Sequence, residues 1–163
     1  MYVGLALLLV LLPGQCWGFS PDVFLRASAA TGIPVELILA VSHVESGYQP
    51  SAINVAGRSF LPSSRNEAEW ILNRSGDNVD IGLMQINWGH WGKKFGLSKS
   101  DLLDPWLNVL LGVRILEHCV RVSGNWWKGV ALYHSLNDAR QREYVEKVRQ
   151  SYRRVLIKMR KMN

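Results

Sequence analysis

Chemistry in this chain turns first on the carboxylate in ILAVSHVESGYQP, residues 38–50. Glu45 closes a run of apolar residues. In a helix over 34–46, Leu37, Ile38, Val41, Val44 and Glu45 recur at three- and four-residue intervals. Glu45 therefore continues the apolar stripe rather than the polar face. It also falls in the last turn, where the helix dipole disfavours a negative charge. Apolar neighbours would desolvate it as well, and both effects raise a carboxyl pKa. A carboxylic acid that keeps its proton near neutral pH is what general-acid catalysis requires. Glu36, at the N-terminus of the same helix, has the dipole in its favour and needs no such explanation. Periodicity alone leaves Glu45 a second reading, a frayed helix end with the side chain in water.

Two further segments carry groups suited to a sugar. DIGLMQINWGHWG, residues 80–92, has Gly82 and Gly89, the amides of Gln85 and Asn87, and the indoles of Trp88 and Trp91. Amides hydrogen-bond sugar hydroxyls and N-acetyl groups, and indole faces cover apolar sugar faces. Met84 reads equally well as core. ALYHSLN, residues 131–137, places Tyr133 and His134 near the end of a short helix. A core tyrosine with a satisfied hydroxyl is the plainer reading of Tyr133. Asp80 is a possible second carboxylate, and glycoside hydrolysis ordinarily uses two. It also reads as a turn residue of a hairpin at Asp77–Asp80. None of His43, His90, His118 and His134 has a partner at metal-ligand spacing, so neither a metal site nor a cofactor is expected.

The elements that must position these groups read mainly as helices. Ser20 fits an N-cap with Pro21 at the first helical position, and Gly32 fits a stop. Pro34 opens the helix through residue 46, and Gly47 closes it. Ser64-Arg65-Asn66-Glu67 is a capping-box pattern for a short helix to Asn73. Residues 75–87 read as turn or short strand. Asp104-Pro105 opens a long helix to about Val122, with Trp106, Val109, Leu110, Val113, Leu116 and Val120 on one face. Asn125 caps a helix over 126–135. Asp138 is read as the cap of the last helix, striped by Tyr144, Val145, Val148, Tyr152 and Val155. The fold class is mainly α, with one irregular or short-strand central segment.

A chain of 163 residues suits one such domain. Its first 18 residues, MYVGLALLLVLLPGQCWG, carry no charged side chain. The apolar run, residues 3–12, is shorter than the ~20 residues that span a bilayer, and it breaks at Pro13-Gly14. It reads as a secretory signal cut after Gly18, with Cys16 and Gly18 as the small residues before the cut. An uncleaved anchor is the competing reading, and Gln15 fits poorly with a lipidated Cys16. Removing 18 residues from 163 leaves a domain over 19–163 with Cys119 as its one cysteine, so no internal disulfide is expected. The apolar pattern around Cys119 reads as core. The formal charge is +6, none of it in the signal. An exported basic domain suits an anionic polymer or surface, and no nucleic-acid motif is present. Much of the excess lies over Arg149–Lys161, which taken alone is a solvated helix face.

HVESGYQPSAIN, DIGLMQIN and ALYHS, in that order, resemble the soluble lytic transglycosylase family. The resemblance covers about residues 19–150. The short length and the signal are similar to the small specialised members associated with secretion, pilus or conjugation systems. The resemblance implies a lysozyme-like α(+β) domain. It implies that Glu45 is the single catalytic acid and base, and that Ser46 orients substrate or intermediate. Gly82, Leu83, Met84 and Gln85 match the segment beside the family's cleft, and Asn87 follows it. Tyr133 matches a tyrosine close to the glutamate, and Tyr144 in YVEKV resembles a second. His134 stands where the family usually has Asn, and Ser135-Leu136 where Ala-Gly is common. The contact made at that position therefore falls to a different side chain.

The implied reaction cleaves the β-1,4 bond between N-acetylmuramic acid and N-acetylglucosamine. Glu45 protonates the leaving oxygen, then takes the proton of the muramyl C6 hydroxyl as that oxygen closes on C1. The product ends in 1,6-anhydromuramic acid. The implied partners are peptidoglycan glycan strands and components of a secretion or conjugation apparatus. No nucleic acid and no stable membrane span after signal cleavage are expected, and the implied location is the periplasm. Two alternatives stand beside this reading. DIGLMQIN also resembles a lysozyme segment, which would make Asp80 the partner of Glu45 in a hydrolytic muramidase. A non-catalytic wall-binding assembly protein would keep the fold without the activity.

Overall fold

The computed structural model describes residues 20–161. The expected signal, with Cys16, lies outside them. Six α-helices occur among the described residues: α1 Asp22–Thr31, α2 Val35–Ser46, α3 Arg65–Arg74, α4 Pro105–Ser123, α5 Trp126–His134 and α6 Asp138–Arg160. Four short strands complete the domain: β1 Ile53–Val55, β2 Arg58–Phe60, β3 Val79–Ile81 and β4 Ile86–Asn87. The mainly α class, with a small antiparallel sheet as its central segment, is what the structure shows.

α2 is the central helix. Leu37, Ile38, Leu39, Ala40, Val41 and Ser42 are all buried, so apolar surface surrounds it rather than striping one side. α1 and α6 pack against it, and α4 and α5 pack on each other. On α6, Tyr144, Val148, Ser151 and Val155 face inward at three- and four-residue spacing. On α4, Val109, Val113 and Leu116 are buried, while Trp106, Leu110 and Val120 are half-buried at its margin. Each fully buried Leu, Ile or Phe contributes about 1.5–3 kcal/mol relative to exposure.

Two helix starts differ from the expected ones, and a third keeps its cap but closes it differently. Pro21, not Ser20, stands at the start of α1, without a side-chain cap. α6 is capped by Asn137, whose Oδ1 accepts from the N–H groups of Ala139 and Arg140, both at 3.1 Å; Asp138 falls inside the first turn. The Asn side chain precedes the orphan N–H groups by the right interval, and Asp138 does not. At α3, Ser64 Oγ accepts from Glu67 N as expected, but Glu67 reaches back one residue further, to Ser63 N and Oγ. The caps at Asp104 and Asn125 are as read from the sequence.

The central segment is more ordered than the sequence suggested, and it begins earlier. INVAGRSF forms a hairpin, β1–β2, ahead of α3. Ala56 and Gly57 both take positive φ, 49° and 92°, as a two-residue hairpin turn requires. β3 and β4 then extend one antiparallel sheet in the order β2-β1-β3-β4.

Candidate active site

Register decides what the sheet presents. Ser59 pairs with Asn54, Asn54 with Asp80, and Asp80 with Asn87. Residues paired across antiparallel strands point to the same face. Ser59, Asn54, Asp80 and Asn87 therefore form a polar row across four strands, with neighbours about 4.8 Å apart. Asn54 Nδ2 donates to Ser59 Oγ at 3.2 Å, and Asn87 Nδ2 donates to Asp80 Oδ1 at 2.9 Å. Ile53, Ile81 and Ile86 point the other way, into the core.

This row is one wall of a cleft of about 490 Å³. The opposite wall is helical: Glu45 from α2, Tyr133 and His134 from α5, and Arg140 from α6. Asp80 sits within strand β3, not in a turn at 77–80. Sequence reading missed Asn54, Ser59, Asn78 and Arg140 as cleft residues. The alternation in INVAGRSF was the available signal for the first two, but only pairing with β3 turns it toward a site.

Glu45 projects from the last turn of α2, and the half-buried side chain reaches the cleft. Tyr144 Oη donates to Glu45 Oε1. Burial raises the Glu45 pKa to about 7; the Tyr144 hydrogen bond pulls it down, and the charge of Asp80 adds to the rise. The acid thus holds its proton about as strongly as neutral water requires of a general acid. Asp80 is also raised by burial, against the lowering effects of the Asn87 hydrogen bond and of nearby His134. His134 is lowered by burial and by the charges of Arg140 and Lys147, with Asp80 and Glu143 acting against them. Its ring stacks on that of Tyr144, with centroids 4.2 Å apart and planes 2° from parallel. The tyrosine that bonds Glu45 is thereby held on its open side.

The GLMQ segment is a turn that braces the glutamate. Gly82 has φ 80°, and a Cβ there would come within 2.4 Å of Asn108 Nδ2, so glycine is required twice over. Asn108, buried on α4, donates to the carbonyls of Ile81 and Leu102 at 2.8 and 2.9 Å and accepts from Met84 N at 2.8 Å. Sequence reading missed it. An Asn on an apolar helix face is its signature, since a buried amide needs several partners. The Leu83 carbonyl accepts from Ser42 Oγ and Ser46 Oγ, at 3.1 and 2.9 Å. The turn is thus tied directly to the end of α2.

The predicted residues divide accordingly. Gln85, Asn87, Tyr133, His134, Asp80 and Glu45 line the cleft together. Tyr144 lines a smaller hollow that shares Glu45 and His134 with it. Met84 does not face the cleft: its side chain is fully buried, pressed onto Gly112, and its carbonyl accepts from Tyr133 Oη at 2.7 Å. An apolar side chain at that point of the turn gains more from the core than from the cleft. Ser46 is likewise turned away, its hydroxyl occupied by the Leu83 and Ser42 carbonyls. Gln85, at φ 45°, commits its Nε2 to the carbonyls of Ala52 and Gly82, which leaves Oε1 for a ligand. Trp91 lines the cleft, whereas Trp88 donates from Nε1 to the Leu97 carbonyl and serves the fold. Cys119 is a half-buried free thiol packed on the core. Among the described residues, no group of three or more His, Cys, Asp or Glu could hold a metal ion. No helix among them is long and apolar enough to cross a membrane.

Residues 22–154 match the family described as Transglycosylase SLT domain. Invasion protein IagB of Salmonella typhimurium is 32% identical over 142 residues, which is 82% of this chain and 77% of that protein. Type IV secretion system protein virB1 of Brucella suis is 32% identical over 106 residues, 62% of this chain and 44% of that protein. Protein IpgF of Shigella flexneri is 25% identical over 156 residues, 91% of this chain and 86% of that protein. No solved structure matches the chain.

Proposed function

The chain belongs to the transglycosylase SLT domain family and is a peptidoglycan lytic transglycosylase, and we propose that Glu45 is its single catalytic acid and base. The observation that carries this assignment is a carboxyl on the helical wall of the cleft, bonded by Tyr144 and raised by burial to about 7. The β-1,4 bond between N-acetylmuramic acid and N-acetylglucosamine lies across Glu45. Protonated Glu45 gives its proton to the leaving oxygen. The resulting carboxylate takes the proton of the muramyl C6 hydroxyl, whose oxygen closes on C1. The glutamate ends protonated, ready for another turnover. Tyr144 supports this cycle by stabilising the carboxylate between the two transfers.

Gln85 Oε1, Asn87 and the Ser59–Asn54–Asp80 row hold sugar hydroxyls and N-acetyl groups. Tyr133, anchored on the Met84 carbonyl, and His134 shape the opposite side. Ser46 and Met84 act through the turn they brace rather than by touching sugar. Asp80 orients Asn87 and supplies negative potential opposite Glu45.

The domain over 19–163 follows a signal cut after Gly18, and the mature chain acts in the periplasm. Resemblance to an invasion protein and a type IV secretion system protein supports local opening of the wall for a secretion or conjugation apparatus. Mass spectrometry of products from purified peptidoglycan tests the reaction. Muramic ends of the 1,6-anhydro form are expected. Reducing muramic ends would overturn the single-carboxylate mechanism and make Asp80 the partner of Glu45.

A further inference from the structure

Three hollows follow one another along α6. The main cleft shares Glu45, His134 and Arg140 with a second of about 180 Å³, which also touches Val44 and Lys147. That hollow shares Val44 and Lys147 with a third of about 280 Å³, which ends at His43, Ser151 and Arg154. The floor is the seam between the end of α2 and α6. His43 Nδ1 lies 3.2 Å from Ser151 Oγ across it.

The cations on this line are regularly placed. Arg140, Lys147 and Arg154 are seven residues apart. Two turns of helix return a side chain to nearly the same face, so the three stand about 10.5 Å apart along one edge, about 21 Å in all. All three are exposed. The Lys147 ammonium is paired with Glu143 at 2.6 Å. The guanidinium groups of Arg140 and Arg154 have no ion pair or hydrogen bond among the described residues. Two unpaired guanidiniums flanking a groove that opens from a catalytic carboxyl form a receptor for carboxylates.

We infer that this groove receives the acidic peptide carried by the muramic acid whose bond is cleaved. The inference rests on the proposed placement of that bond at Glu45. The peptide hangs from C3 of the same sugar, so it must leave the cleft beside Glu45, where the groove begins. An extended peptide of about four residues spans about 13 Å. Entering beside Glu45, between Arg140 and the Lys147–Glu143 pair, such a peptide extends along the groove toward Arg154.

The test compares two substrates with the full chain: glycan strands with peptides intact, and the same strands stripped by an amidase. The readout is the ratio of kcat/KM on intact strands to that on stripped ones. The double variant Arg140→Gln, Arg154→Gln is expected to lower this ratio about tenfold, mainly through KM, as charge-assisted contacts are lost. Arg140→Lys with Arg154→Lys should restore most of it. Added salt should erode the wild-type ratio and leave that of the Gln variant. Arg121→Gln, which removes an exposed cation of α4, should keep the wild-type ratio. Anhydro ends from both substrates with an unchanged ratio in the Gln variant would overturn the groove alone. Wild type that releases no anhydro ends from either substrate would overturn the placement of the bond, and the groove with it.

Discussion

The two walls of the cleft treat a carboxylic acid in different ways. On the helical wall, Glu45 follows the buried core of α2, residues 37–42, and is raised to about 7 by burial, with one hydrogen bond from Tyr144 to temper it. On the sheet wall, Asp80 stands in a row of amides and a hydroxyl, bonded by Asn87 and near His134. The helical wall keeps a proton available. The sheet wall keeps a hydrogen-bonding surface available. The difference shows that surroundings set how each carboxyl is held, and it supports the proposed chemical role of Glu45 and the proposed binding role of Asp80.

Glu45→Gln should break the comparison most deeply. Loss of a general acid costs about 10²–10⁴-fold in rate, read as release of anhydromuramic ends. Asn108→Ala comes next, as a test of what holds the walls together. It orphans Met84 N–H and the carbonyls of Ile81 and Leu102, and should cost on the order of 3 kcal/mol in denaturant unfolding. A loss near zero would show that the turn holds itself. Asp80→Asn should cost about tenfold, the scale of one hydrogen-bond partner, with products still of the anhydro form. A loss as deep as that of Glu45→Gln would make the two walls chemically equivalent.

Acidity sharpens the contrast further. With Glu45 as the proposed general acid, kcat/KM should fall as pH rises through about 7. Tyr144 stabilises the carboxylate, so Tyr144→Phe should move that fall to higher pH; a shift the other way would contradict the hydrogen bond's direction. The same burial affects stability. The folded chain holds the Glu45 proton more tightly than the unfolded chain, so ionisation costs stability as pH rises from about 4.5 to about 7. Glu45→Gln lacks this cost. It should be more stable than wild type by on the order of 1–3 kcal/mol at pH 8 and should lose that advantage near pH 4. A pH-independent difference between the two would place Glu45 in water.

Much of this was readable in local pattern. Glycine stops, caps at Asp104 and Asn125, and three- and four-residue spacing located the helices. The same spacing put Glu45 on an apolar stripe. What local pattern missed was pairing. β1 and β2 are three residues each, too short to announce themselves. Met84 and Gln85 are neighbours with opposite destinations, one core and one cleft. Asn108 looks like a blemish on an apolar face until the turn it holds is seen.

The sequence by itself determined the family, the helical plan and the carboxylate proposed as the acid, because each rests on residue type and short-range spacing. Tertiary structure decided the rest. Strand register aligned Asn54, Ser59, Asp80 and Asn87 from separate segments. The packing of α6 on α2 brought Tyr144 to Glu45, 99 residues away in the chain. That packing also laid Arg140, Lys147 and Arg154 along a groove. Such contacts depend on how whole elements bury their apolar faces, and no short window of residues contains that information.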